Sequence, residues 1–150
     1  MNIEYLEALR DNPKRWDYEN KGISDLAIIQ QLEQSFNNGN SFPKVLKELL
    51  FLAGESCVWL MFHYDSQYEM QLEENTDLID EGIIISRPHY FIDLSSHDCP
   101  IFMYLDEGDN PILYQVDGMF DRYIRKMEEV TLQSFIESRI KAYKEGRPVF

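Results

Sequence analysis

The chain has 150 residues, 44% of them hydrophobic and 13% aromatic, and its 27 acidic and 14 basic residues give a net charge of −13. That length and composition suit one globular domain, residues 1–150, and exclude a disordered acidic tail. The acidic balance would repel phosphates and argues against direct nucleic-acid binding, and no apolar run approaches the roughly 20 residues that span a bilayer.

Met1–Arg10 carries Glu4 and Glu7 without an apolar stretch, so it does not read as a signal peptide, and the expectation is a cytoplasmic protein. Gly22-Ile23-Ser24 opens the first convincing helix: Ser24 is placed to cap it and Ile23 to staple against Ile28. Leu26, Ile29, Leu32, Glu33 and Phe36 follow at three-and-four spacing, with Glu33 the one polar interruption, until Asn37-Asn38-Gly39-Asn40 stops the pattern. A second helix starts around Pro43 and runs through Val45, Leu46, Leu49, Leu50 and Ala53, with Gly54 placed to end it in the left-handed conformation.

Cys57–Tyr64 is apolar and aromatic and reads as a strand, whereas Tyr68–Glu81 reads equally as a short helix or an acidic loop. Three β-like runs follow: Ile83–Ser86 leading past Pro88 into Tyr90–Leu94, then Ile101–Leu105, then Ile112–Val116. Asp106-Glu107-Gly108-Asp109-Asn110-Pro111 is dense in turn formers and predicts that the last two pair as an antiparallel hairpin. Both faces of these strands are apolar, since Ile101, Met103 and Leu105 alternate with Phe102 and Tyr104. One face must pack on helices; the other is covered by Tyr68–Glu81 or left partly open. Thr131 caps the closing helix, with Val130 and Phe135 as the staple and Leu132, Phe135, Ile136, Ile140 and Tyr143 as the stripe, up to Gly146-Arg147-Pro148. The predicted class is α+β: a mostly antiparallel sheet of four to six strands packed against N-terminal and C-terminal helices.

The charge is segregated along this order. Asp65–Asp121 holds 14 acids and one base, Arg87, so it carries the whole net charge while the two flanks cancel. An acidic surface of that kind would steer and hold a basic partner.

Ser96-His97-Asp98-Cys99-Pro100-Ile101-Phe102-Met103-Tyr104-Leu105, then Asp106–Asn110, Pro111-Ile112-Leu113-Tyr114 and Asp117-Gly118, resembles the SUKH superfamily, the cell-wall-assembly-regulator-like immunity proteins of bacteria. Ser41-Phe42-Pro43-Lys44-Val45-Leu46-Lys47-Glu48-Leu49 with Gly54 is similar to that family's early Pro-led helix, and Thr131-Leu132-Gln133-Ser134-Phe135-Ile136 to its closing helix. The resemblance covers residues 22 to 145. It implies a compact α+β fold, no enzymatic activity, and protection by binding a toxin domain.

Enzyme-like patterns are weak. Ser95-Ser96-His97-Asp98 places triad residue types side by side, where they would point to opposite faces instead of converging; His97 reads better as a turn residue. His63, His89 and His97 with Cys57 and Cys99 lack a close-spaced zinc-ligand pair, and the two cysteines read as buried thiols ahead of a disulfide. Glu73-Glu74 are neighbours that do not face each other on a helix, and Asp106–Asn110 lacks the calcium-loop register. The expectation is therefore a non-enzymatic protein with no cofactor and no metal, binding a basic toxin domain, a nuclease above all. The expected contact residues are Glu73, Glu74, Asp77 and Asp80 with Asp106, Glu107 and Asp109. The alternative is a regulatory or scaffold module of the same fold with an endogenous protein partner; a hydrolase relying on His63 or His97 is weaker still.

Overall fold

Two elements that the hydrophobic pattern does not announce open the chain in the computed structural model, which describes residues 1–96 and 98–150. They are a short helix α1, Glu7–Asp11, and a hairpin of β1, Lys14–Arg15, with β2, Tyr18–Glu19. Helix α2 spans Leu26–Phe36 and α3 spans Lys44–Ala53. Asp25 caps α2 in place of Ser24, accepting from the Ala27 amide at 2.9 Å; Ile23 is spent on the core and Ile28 stays exposed. Glu33, the interruption in the α2 stripe, is buried because its carboxylate accepts the Phe42 amide at 2.6 Å and lies 3.7 Å from Lys47 Nζ.

Gly54 is right-handed, at φ −68° and ψ −27°, and not left-handed as expected. Glycine is required there by close packing: a Cβ would sit 2.5 Å from the Leu50 carbonyl oxygen and 2.7 Å from Ile23 Cδ1.

Cys57–Tyr64 is not a strand. Val58, Trp59 and Leu60 are buried, but side chains hold the backbone. The Met61 amide donates to Asp93 Oδ1 at 2.8 Å, the Trp59 carbonyl accepts from Arg139 Nη1 at 2.8 Å, and the Val58 amide donates to Asn20 Oδ1 at 2.8 Å. A short apolar run needs burial, and burial can be supplied without a ladder.

Tyr68–Glu81 belongs to a 14-residue helix, α4, Gln67–Asp80. Ile83–Ser86 forms no strand. Strands β3, His89–Asp93, β4, Ile101–Tyr104, β5, Ile112–Asp117, and β6, Tyr123–Thr131, make an antiparallel sheet in the order β3-β4-β5-β6. The expected β4–β5 hairpin is present, with Phe102 opposite Tyr114. Helix α5, Leu132–Lys144, starts on a capping box of Thr131 and Ser134. It closes with Gly146 N donating to the Tyr143 carbonyl at 3.1 Å and Arg147 N to the Ala142 carbonyl at 2.8 Å.

Side-chain alternation sorts the sheet into two packed faces. Tyr90, Ile92, Ile101, Met103 and Leu113 join Leu46, Leu49 and Leu50 of α3 and Leu132 and Ile136 of α5. Phe91, Phe102 and Val116 join Met70 and Leu78 of α4. The α+β class is as expected, and α4 covers much of the second face.

Candidate interaction surface

Ser66 caps α4, accepting from the Glu69 amide at 3.2 Å. Three amide side chains at successive four-residue steps, Gln67, Gln71 and Asn75, then bind β3. Gln71 accepts from the Phe91 amide at 2.7 Å and donates to the Phe91 carbonyl at 2.9 Å, so one side chain closes part of the open edge of the sheet. Tyr90 donates to Gln67 at 2.8 Å, and Asn75 Oδ1 lies 2.6 Å from His89 Nε2.

Anchored in this way, α4 presents Glu69, Glu73, Glu74, Asp77 and Asp80 and carries no lysine or arginine. None of the five forms an ion pair among the described residues. Glu69, Glu73, Asp77 and Glu81 follow at four-residue steps, and each like-charge step costs about 0.2–0.5 kcal/mol. The acids near the C-terminal end also oppose the helix dipole. This surface is kept against its own repulsion.

Glu74 interrupts the inward row of Met70 and Leu78. It is partly buried, accepts from the Tyr64 hydroxyl at 3.3 Å, and lines a cleft of about 450 Å³ with His63, Asp77, Asp80 and Arg122. Burial, followed by the neighbouring Asp77 charge, holds the Glu74 carboxyl above its usual range. Burial likewise raises the Tyr64 hydroxyl. Arg122 donates to the Asp98 carbonyl and lies 3.7 Å from Glu81, so the cleft keeps one compensating cation at its floor.

The remaining expected contact residues lie elsewhere. Pro100 borders the α4 cleft at the start of β4, whereas Asp106 and Glu107 follow its other end, four residues or about 13 Å away. There both bind Arg87, at 2.5 and 3.2 Å, and Glu107 accepts from the Tyr114 hydroxyl at 3.2 Å. Asp109 caps α3: its carboxylate accepts the Lys44 amide at 3.2 Å and its carbonyl the Val45 amide at 3.0 Å. The structure thus brings Glu74, Asp77 and Asp80 together, with Glu73 on the exposed side of the same helix, and separates them from Asp106, Glu107 and Asp109.

The acidic half is also less uniform in space than in sequence. Asp93 is buried against Arg139, and Asp117 is paired with Arg125 at 3.0 Å. His63 and His89 sit at opposite ends of β3, where His63 Nε2 is 3.1 Å from the Leu94 carbonyl and burial lowers the His89 pKa. Cys57 and Cys99 are free thiols, both partly buried, and burial pushes Cys57 up to about 11. Among the described residues no group of three or more metal-ligating side chains converges, and no helix is long and apolar enough to cross a membrane. His97 lies outside the described residues; its neighbour Ser95 binds Asp93 and accepts from Arg139 Nη2 at 2.9 Å.

Two further features were missed from sequence. Met119 and Phe120, at the β5–β6 turn, are 83% and 92% exposed. A mostly apolar hollow of about 760 Å³ lies between α2 and the start of α4, lined by Ile23, Ile28, Leu32 and Tyr68. The Asp117-Gly118 pair was the available signal for the first, since Asp-Gly after an apolar strand marks a hairpin. Compared with family models, with curated proteins and with solved structures, the chain matches none.

Proposed function

We propose that the chain is a SUKH-type immunity protein, a non-enzymatic binder that neutralises a basic toxin domain in the cytoplasm, with a nuclease as the first expectation. The observation carrying this reading is α4: five acids, no cation of its own, and no ion pair among the described residues. A nuclease cleft must attract phosphates and is therefore cationic, and an acidic helix fixed on a rigid sheet can occupy it as a mimic. Rigid support lowers the ordering cost of binding, and Gln67, Gln71 and Asn75 supply that support.

The test is charge reversal on the exposed face. Glu73→Lys, Asp77→Lys and Asp80→Lys together should weaken binding of a toxin domain encoded by a neighbouring gene by tenfold or more. They should also flatten its salt dependence and abolish protection of cells making that toxin. Unchanged affinity and salt slope would remove the acidic surface from the mechanism. The second reading, a regulatory module with an endogenous partner, draws on the α2–α4 hollow. It gains if Ile28→Lys abolishes partner binding while the α4 reversals leave it intact.

A further inference from the structure

Phe120 is the most exposed large hydrophobic residue of the chain at 92%, and Met119 follows at 83%. Both sit on a tight turn: Gly118 is at φ +88°, and a Cβ there would lie 2.5 Å from the Asp121 carbonyl oxygen. At the start of β6, Ile124, 37% exposed, shares the α4 side of the sheet with its partner Val116, whereas Tyr123, 53% exposed, faces the other side with Asp117. Two large apolar side chains exposed to this degree on one turn contribute little burial to the fold and mark a contact surface.

The surroundings select the occupant. Arg122, two residues or about 7 Å of chain beyond Phe120, lines the cleft that holds Glu74, Asp77 and Asp80. The apolar turn is therefore joined within two residues to the wall of the acidic cleft, and Asp121 between them adds another exposed carboxylate. A two-fold dimer through this surface would bring α4 against α4, like charge against like, in a chain of net charge −13. An anionic membrane is repelled by the same acids. What fits is a basic protein surface with an apolar hollow beside its cationic patch.

We propose that Met119 and Phe120 are the apolar anchor of the interface whose electrostatic part is α4, inserting into a hollow on a basic protein partner. This rests on the acidic-surface reading and adds to it the residues that set affinity, because a buried aromatic anchor governs dissociation while peripheral charges govern encounter.

The test uses the full chain and the basic toxin domain that the wild-type protein retains. Phe120→Ser and Met119→Ser are measured by titration calorimetry beside Tyr18→Ser, an exposed aromatic on the β1–β2 hairpin outside this surface. Phe120→Ser should weaken binding about 30-fold or more and Met119→Ser by a smaller factor, mostly through faster dissociation, with Tyr18→Ser within a factor of two. All three should keep the wild-type melting temperature, which separates loss of contact from loss of fold. Less than threefold loss for both turn variants, with the α4 reversals still effective, overturns the anchor and leaves the acidic reading standing. Retention of no basic protein by the wild-type chain overturns both. Concentration-dependent dimers of the isolated chain that Phe120→Ser returns to monomer would assign the turn to a second copy and overturn the proposal. Flotation with neutral phosphatidylcholine vesicles that Phe120→Ser abolishes would assign it to lipid, with the same consequence.

Discussion

Asp93 and Asp77 belong to the same acidic half of the sequence and meet opposite fates. Asp93 is fully buried on β3 and every oxygen is engaged: Arg139 binds both, at 2.8 and 3.1 Å, the Met61 amide donates to one at 2.8 Å, and the Ser95 amide to the other at 3.2 Å. Glu48, buried on α3, is similar, collecting the backbone amides of Glu4, Tyr5 and Leu6. Asp77 stands on α4 among carboxylates and forms no ion pair among the described residues. The first kind of acid holds distant segments in register. The second kind costs stability and gains only when something basic arrives. Net charge alone cannot separate them; the donors around each carboxylate do.

Breaking the buried kind should give the largest effect. Arg139→Leu leaves Asp93 charged and uncompensated beneath α5, and should cost about 3–5 kcal/mol by chemical denaturation. The double change with Asp93→Asn should recover part of that loss, because the stranded charge is then gone. A cost under about 1 kcal/mol for Arg139→Leu would mean that solvent reaches the pair.

Glu48→Leu comes next. It removes the acceptor for three backbone amides at the entry to α1, with an expected cost of about 2 kcal/mol. Hydrogen exchange should localise the damage to Glu4–Asp11 and leave the sheet protected. Uniform loss of protection would show that the N-terminal segment opens only with the whole fold.

Sharpening the other side of the comparison needs a smaller change of opposite sign. Asp77→Asn removes like-charge contacts with Glu73 and Glu81 and an acid near the C-terminal end of α4, so the isolated protein should gain about 0.5 kcal/mol. The same variant should bind a basic partner more weakly. Gain in one measurement and loss in the other is the signature of a surface held for function, whereas loss in both would make Asp77 structural.

The sequence carried these differences unevenly. α2, α3 and α5 were legible because apolar spacing and turn residues agreed, and the β4–β5 hairpin because six turn-forming residues separate two apolar runs. α4 was ambiguous because part of its inward face is Gln67, Gln71 and Asn75, which hydrophobic periodicity counts as exposed. Its cap was nevertheless on view in Ser66-Gln67-Tyr68-Glu69, a serine three residues ahead of a glutamate. β6 was invisible for another reason: Arg125, Lys126, Glu128 and Glu129 fill an edge strand that alternation does not mark, with Glu129 at φ 63° in its irregular stretch. The acidic surface was half legible. The α4 acids stood out by composition, but nothing local indicates that Asp109 caps α3 or that Asp106 and Glu107 share Arg87, since those partners lie far away in sequence.

Glu74 stands between the two kinds of acid, half turned inward yet without an ion pair among the described residues, and it offers the smallest and most specific test. Its carboxyl is held above the ordinary range by burial first and by Asp77 second. The folded state therefore holds that proton more tightly than the unfolded chain does. Stability must fall as pH rises through the folded value, and return as pH drops back toward the ordinary carboxylate range. Asp106 and Asp117 run the other way: hydrogen bonds, chiefly from Arg87 and from the Gly118 amide, hold them below their usual values, and their contribution disappears only in stronger acid. On the alkaline side of the ordinary carboxylate range the Glu74 effect should therefore be separable from theirs. Melting temperatures should rise more steeply for the wild type than for Glu74→Gln as pH falls toward that range, and the variant should be the more stable of the two at neutral pH. Parallel profiles would mean that Glu74 ionises freely in water, and the α4 cleft would then be open enough to hydrate any cation it receives.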